Sequence, residues 1–260
     1  MCSSDLSLAV WRALFFSPGE IRPEPGKSAQ WNRGAYLVRG LGHCQACHSP
    51  RNAFGATQDT LELSGGLIPM QNWYAPSLAS PSEAGVHDWS DPDVVALLKN
   101  GISARGATMG PMAEVVYGST QYLSDTDLQA MATFLRDLPR REAERKGGAP
   151  VASDVRDLGA KLYKAQCAEC HGDSGEGAGR LYPALAGHRT VTMDSSANLV
   201  KVILNGGFPP TTAGNPRPFG MPPVGQNLSD AQIAALASYV RGAWGNKAAG
   251  VSAFDASRVR

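Results

Sequence analysis

Cys44-Gln45-Ala46-Cys47-His48 recurs as Cys167-Ala168-Glu169-Cys170-His171, and these two stretches decide how the rest of the chain is read. Two thiols two residues apart can reach the two vinyl groups on one edge of a porphyrin. A histidine directly after the second thiol then falls beneath the iron. C-x-x-C-H is accordingly the attachment signature of c-type haem. With 5 Cys and 5 His in 260 residues, one copy arises by chance in about 0.002 of such chains. Two copies in similar surroundings point to two covalently bound haems c (Fe). Cys44, Cys47, Cys167 and Cys170 are then the attachment thiols, and His48 and His171 the axial ligands.

Zinc is the obvious competitor for paired cysteines. Four-cysteine zinc sites place their pairs about 15–20 residues apart, whereas Cys44 and Cys167 stand about 120 apart and each pair is followed at once by His. A thioredoxin-like pair belongs in a βαβ setting, and no β-alternation is visible.

The two motifs sit in parallel contexts. Trp31–Gly42 and Asp157–Gln166 each read as a helix leading into a motif. Leu123-Ser124-Asp125-Thr126-Asp127-Leu128 and Leu228-Ser229-Asp230-Ala231-Gln232-Ile233 each open a later helix, with Ser at the N-cap and acidic residues in the first turn. Leu128, Met131, Phe134 and Leu135 recur as Ile233, Leu236, Tyr239 and Val240 at a constant offset of 105. Apolar spacing of i, i+3, i+4 predicts further helices over Asp91–Asn100 and Asn198–Asn205. The expected fold is therefore all-α, in two tandem units: 31–140 and 151–246, with 1–30 a proline-rich lead-in, 141–150 a charged and glycine-rich linker, and 247–260 a tail. High glycine (29) and proline (18) suit small domains wrapped on a cofactor by irregular loops.

A haem iron that is not open to small molecules needs a second axial ligand, and a thioether there favours Fe(II). Met221 lies 51 residues beyond Cys170 in the rigid run Phe219-Gly220-Met221-Pro222-Pro223, with Met193 as its competitor. In the first half Gly110-Pro111-Met112 favours Met112 over Met109, and Met70 reads as core or surface. An axial imidazole is usually oriented by a backbone carbonyl on its far nitrogen. Pro76 and Pro183 either supply those carbonyls or simply shape turns. Trp73 and Tyr74 read equally as haem-pocket or propionate contacts and as plain core; His43, His87 and His188 are not expected to be ligands.

The order helix, CxxCH, loop, Met, helix resembles class I cytochrome c, over nearly all of each half. That resemblance implies a close crossing of each half's first and last helices over a glycine. Gly159, Tyr163 and Cys167 would face Leu236 and Tyr239, while Gly34 and Tyr36 come at a shifted spacing. A narrower resemblance runs through Trp31-Asn32-Arg33-Gly34-Ala35-Tyr36-Leu37-Val38, Gly42-His43-Cys44, Trp73-Tyr74-Ala75-Pro76 and Pro111-Met112-Ala113-Glu114-Val115-Val116. These look like the cytochrome subunits of membrane-bound alcohol, gluconate, sorbitol and fructose dehydrogenases. The resemblance supports Met112 as ligand. It implies a dehydrogenase catalytic subunit as electron donor, ubiquinone or a terminal oxidase as acceptor, membrane association through the complex, and no substrate-oxidising site on this chain. That family usually carries three CxxCH motifs where this chain has two.

Haem c is attached outside the cytoplasm, so a periplasmic location is expected. The run Leu6–Phe16 is interrupted by Arg12 and lacks the flanks of a signal peptide. The start Met1-Cys2-Ser3-Ser4-Asp5-Leu6 reads as foreign, and with the two-motif count it leads to the expectation that the natural N-terminus, signal and all, has been lost. Net charge is +1, which argues against a nucleic-acid partner. Residues 31–140 hold 7 basic against 10 acidic residues and residues 151–260 hold 11 against 8, a polarity along the chain. Two other functions compete: a free-standing dihaem shuttle, and a dihaem peroxidase. The peroxidase needs an iron with an open sixth position, against which the methionine in each half argues.

Overall fold

The computed structural model describes residues 3–142, 151–179 and 181–260. The chain is predominantly helical. The first half runs α1 (Ser3–Phe15), α2 (Ala29–Tyr36), α3 (Gln45–His48), the hairpin β1 (Gly66–Ile68) and β2 (Trp73–Ala75), α4 (Asp91–Asn100), the minimal hairpin β3 (Ile102–Ser103) and β4 (Gly106–Ala107), α5 (Pro111–Gly118) and α6 (Asp125–Arg136). The second half runs α7 (Ser153–Gln166), α8 (Ala168–His171), α9 (Arg189–Thr192), α10 (Ala197–Asn205), α11 (Asp230–Gly242) and α12 (Ala253–Val259). The linker expected over 141–150 lies, from residue 143, outside the described residues.

Local chemistry explains where the long helices start. Ser124 Oγ accepts the Asp127 N–H at 3.1 Å and caps α6. Ser229 and Gln232 exchange side-chain and backbone bonds in a capping box on α11. Ser90 caps α4, whose end turns on Gly101 at φ +72°.

The apolar faces gather into two clusters. One packs Trp31, Val38, Val94, Leu98, Leu128 and Phe134 among others; the second packs Tyr163, Val200, Ile203, Ile233, Leu236 and Val240. In each, the helix that leads into a CxxCH motif crosses the last long helix at a glycine. A Cβ on Gly34 would sit 2.0 Å from the Ala130 carbonyl oxygen and 2.9 Å from Phe134 Cβ. A Cβ on Gly159 would sit 2.3 Å from the Ala235 oxygen and 2.6 Å from Tyr239 Cβ. Ala130 and Ala235, like Phe134 and Tyr239, are 105 residues apart, so the offset in the pattern is an offset in the packing.

The shifted spacing in the first half has a backbone cause. After α2 the chain widens into a π-helical turn, Leu37–Leu41, in which Gly42 N–H bonds to Leu37 O at 2.7 Å and Cys44 N–H to Val38 O at 3.0 Å. The wide turn absorbs two residues between the crossing and the motif. Val38, four residues after Gly34, takes the buried place that Tyr163 holds after Gly159, and Tyr36 stays exposed.

Two segments differ from the sequence reading. The lead-in contains a helix: α1 turns Trp11 and Phe15 onto Phe54, with Trp11 Nε1 donating to the Phe54 oxygen at 2.8 Å and the Phe15 and Phe54 rings stacked at 5.7 Å. The stretch 247–260, read from the sequence only as a tail, contains a packed helix. Ser252 caps α12, and Val251, Ala256 and Val259 are buried in the second cluster. Four of the seven apolar residues there are alanine, whose small side chains leave the helical periodicity faint.

The halves touch. Tyr74 N–H donates to Asn198 Oδ1 at 2.9 Å and Asn198 Nδ2 donates back to Tyr74 O at 2.7 Å. Arg189 Nη1 donates to Gly85 O at 2.8 Å with its guanidinium over the Trp89 ring. Thr212 Oγ1 donates to Asn100 O at 3.1 Å.

Overpacking costs about 1–3 kcal/mol where the backbone must give. Gly159→Ala is therefore expected to lower the midpoint of thermal unfolding, followed by far-ultraviolet circular dichroism, by several degrees. Gly19→Ala, whose Cβ would meet nothing within 4 Å, is expected to leave it unchanged. Equal midpoints would refute the crossing.

Candidate functional site

Each CxxCH motif is a single helical turn placed at the exit of a crossing helix. Cys44 stands at the N-cap of α3 and Cys167 at the N-cap of α8, so the second thiol and the histidine follow on the same turn. All four thiols are free of disulfides. Burial pushes the Cys44 thiol up to about 11; burial, with Cys170 beside it, pushes Cys167 up to about 11 as well.

The histidines are oriented alike. His48 Nδ1 lies 2.7 Å from Pro76 O, and His171 Nδ1 lies 2.9 Å from Pro183 O. A carbonyl only accepts, so Nδ1 carries the proton and Nε2 keeps its lone pair. Burial holds His48 below the ordinary histidine range, against the opposing pull of the Pro76 oxygen, and so favours the neutral ring. Both prolines thus supply carbonyls as well as turns. The donor set fits a covalently attached haem: paired thiols, then an imidazole with its far nitrogen fixed and its near nitrogen free.

Further contacts hold the loops. Gly65, at φ +89°, donates its N–H to His48 O at 2.7 Å and leaves no room for a Cβ beside the Tyr74 hydroxyl. In the second half Tyr163 Oη donates to Gly172 O at 2.6 Å, and its ring packs with Tyr239 and Trp244.

The methionines separate by environment. Met112 packs against the first cluster. Met109 instead points across to the other half, its Cε 2.8 Å from where a Gly207 Cβ would be. Met70 is wholly exposed, and Met193 is buried with its oxygen on Arg241. Met221 is half-buried in a loop tied by its backbone to Gly207, N to O at 2.8 Å and O to N at 3.0 Å.

Other residues take different places from those their types allowed. Tyr74 Oη donates to the buried Glu83 carboxylate (3.1 Å to Oε2), so its hydroxyl is engaged within the protein rather than free for a propionate. The Trp73 indole lies on Gly110. His87 Nε2 donates to Leu138 O at 2.9 Å, and His188 caps α9 by accepting the Thr190 N–H. Sequence reasoning missed Glu83 and Arg241. Arg241 is 1% exposed and donates to the carbonyls of Val191, Met193, Asp194 and Ala249, fixing α9 and the approach to α12. A lone arginine within an otherwise apolar helical face was the available signal for it. Glu83 has none, since Ser80-Pro81-Ser82-Glu83 reads as a surface turn.

Paired thiols on one turn, each followed by a carbonyl-oriented imidazole, define a protein built to hold covalently attached haem c. The family described as Cytochrome c matches residues 157–244. The chain is 37% identical over 270 residues to the cytochrome c subunit of the quinone alcohol dehydrogenase of Gluconacetobacter polyoxogenes, covering 97% of this chain and 58% of the relative. It is 36% identical over 255 residues to the fructose dehydrogenase cytochrome subunit of Gluconobacter japonicus, covering 88% and 52%. Cytochrome c-552 of Thermus thermophilus is 33% identical over 107 residues, covering 39% and 81%. The chain belongs to the cytochrome c family. It spans little more than half the length of the two dehydrogenase subunits. Among the described residues no helix is long and apolar enough to cross a membrane.

Before haem is attached, a thiol pushed up to about 11 should react slowly at neutral pH, because only the thiolate attacks. In the haem-free chain, alkylation of Cys44 and Cys167 should accelerate about tenfold per pH unit until close to 11. A rate that levels off in the ordinary thiol range, followed by mass spectrometry of each cysteine peptide, would contradict the burial of those sulfurs.

Proposed function

We propose that the chain is two tandem class I cytochrome c domains, residues 31–140 and 151–246, that carry two covalent haems c and serve as the electron-transfer subunit of a dehydrogenase complex. The observation that carries this reading is the repeated pairing of a CxxCH histidine with a proline carbonyl, in both halves. The segment 247–260 closes the second domain through α12.

Haem, when bound, supplies one-electron exchange between Fe(III) and Fe(II). The residues supply everything else. Cys44 and Cys47 anchor the first group and Cys167 and Cys170 the second. His48 and His171 would hold the iron through Nε2, and Met112 and Met221 would hold it through their thioether sulfurs. Met112 is supported over Met109 by its place against the first cluster, since Met109 reaches toward Gly207 instead. Met221 is supported by the backbone ties that hold its loop to Gly207.

The relatives named as cytochrome subunits of alcohol and fructose dehydrogenases support a partner of that kind: a catalytic subunit oxidises substrate and passes electrons here. The acceptor would be ubiquinone or a terminal oxidase, on the periplasmic side, with the membrane reached through the complex.

Expression in a host that matures c-type cytochromes should give a mass equal to the chain plus two haems, resistant to acidified organic solvent. Met112→Ala should lower the first haem's potential and admit carbon monoxide, Met221→Ala should do the same at the second, and Met109→Ala should do neither. An unchanged spectrum in Met112→Ala would remove that residue from the ligand set. Copurification of a large dehydrogenase subunit, lost on gel filtration if the chain is a free shuttle, checks the partner.

A further inference from the structure

The peptide group between Pro76 and Ser77 is bonded on both sides. Its carbonyl accepts from His48 Nδ1 at 2.7 Å, and its N–H donates to Glu83 Oε2 at 2.6 Å. Glu83 is only 5% exposed, and its other contact is the Tyr74 hydroxyl, 3.1 Å from Oε2 and 3.3 Å from Oε1. A carboxylate, one amide and one imidazole therefore stand in line, inside the protein.

Hydrogen bonds in such a chain polarise one another, and those to a charged group are the stronger ones. A carboxylate on the amide N–H loads negative charge onto the carbonyl oxygen of the same peptide. That oxygen then draws harder on the Nδ1 proton, and the imidazole becomes a better donor through Nε2. A more basic axial imidazole favours Fe(III) over Fe(II). The second half is built differently. His171 is 2.9 Å from Pro183 O, and the residue six beyond Ala184, where Ser77 has Glu83, is Thr190.

We propose that Glu83 is a positioning residue that lowers the reduction potential of the first haem, acting on His48 through the Pro76–Ser77 peptide, with no counterpart at the second among the described residues. This rests on His48 being the axial ligand. The carboxylate is a poor candidate for a merely structural turn brace, because Ser77 Oγ already holds that turn by accepting the Ala79 N–H and bonding to Leu63 O.

The test uses the full chain carrying both haems. Glu83→Gln keeps the size and an acceptor for the Ser77 N–H while removing the charge. At a fixed ambient potential it should raise the reduced-to-oxidised ratio of the first haem by about threefold or more and leave the second unmoved. Tyr74→Phe retains the carboxylate but strips its second donor, and should move the first potential the opposite way. Potentials unchanged in both variants, or shifted equally at both haems, overturn the inference while the His/Met spectra of both haems leave the ligand assignment standing. Failure of the unaltered chain to hold haem at Cys44 and Cys47 overturns both.

Discussion

Two helices can approach closely enough to seat backbone on backbone only where one of them has no side chain. Gly34 against Ala130 and Gly159 against Ala235 are such places, one in each half. The rest of each half is arranged around that contact. The crossing helix ends one short step before its CxxCH turn, so the crossing decides where the thiols and the histidine emerge. The last helix carries the residues that close the cluster beneath them: Leu128, Met131 and Phe134 in one half, Ile233, Leu236 and Val240 in the other.

With the ends held alike, the halves are free to differ between them. Gly34 to Ala130 is 96 residues and Gly159 to Ala235 is 76. The longer connection of the first half includes the β1–β2 hairpin and the turn bearing Glu83. Both connections return a proline carbonyl to the histidine, but among the described residues only the first brings a buried carboxylate to the other side of that peptide. Apart from the π-helical turn ahead of the first motif, the differences between the two sites lie mainly in loops that the helix crossing does not constrain.

The contact between halves uses the same loops. Asn198, at the start of α10, bonds both ways to the backbone of Tyr74, two residues before Pro76. Met109 meets Gly207, whose backbone is paired with Met221. The two methionine-bearing loops therefore abut, and displacement of one half relative to the other would disturb both. Surface ion pairs such as Arg33–Asp127, which joins α2 to α6, brace helices within one half and add little; the contact between halves rests on partly buried bonds to backbone.

What could be read from the chain alone was whatever is local or periodic. Cys44-Gln45-Ala46-Cys47-His48 and its repeat are chemical signatures complete within five residues. The Ser124 and Ser229 caps and the 105-residue offset follow from helix chemistry and spacing, and the cysteine, histidine and proline positions were all visible in order. The tertiary structure alone decided which carbonyl meets which imidazole, that Met112 rather than Met109 lies against the first cluster, that a π-helical turn reconciles two unequal spacings, that residues 253–259 pack as a helix, and that Glu83 is buried. The physical reason is distance along the chain. A helix cap or a CxxCH turn is decided by neighbours a few residues away, whereas Glu83 owes its burial to Tyr74 and to a peptide six residues upstream, and Arg241 binds carbonyls about 50 residues before it. Such contacts exist only after the helices have crossed.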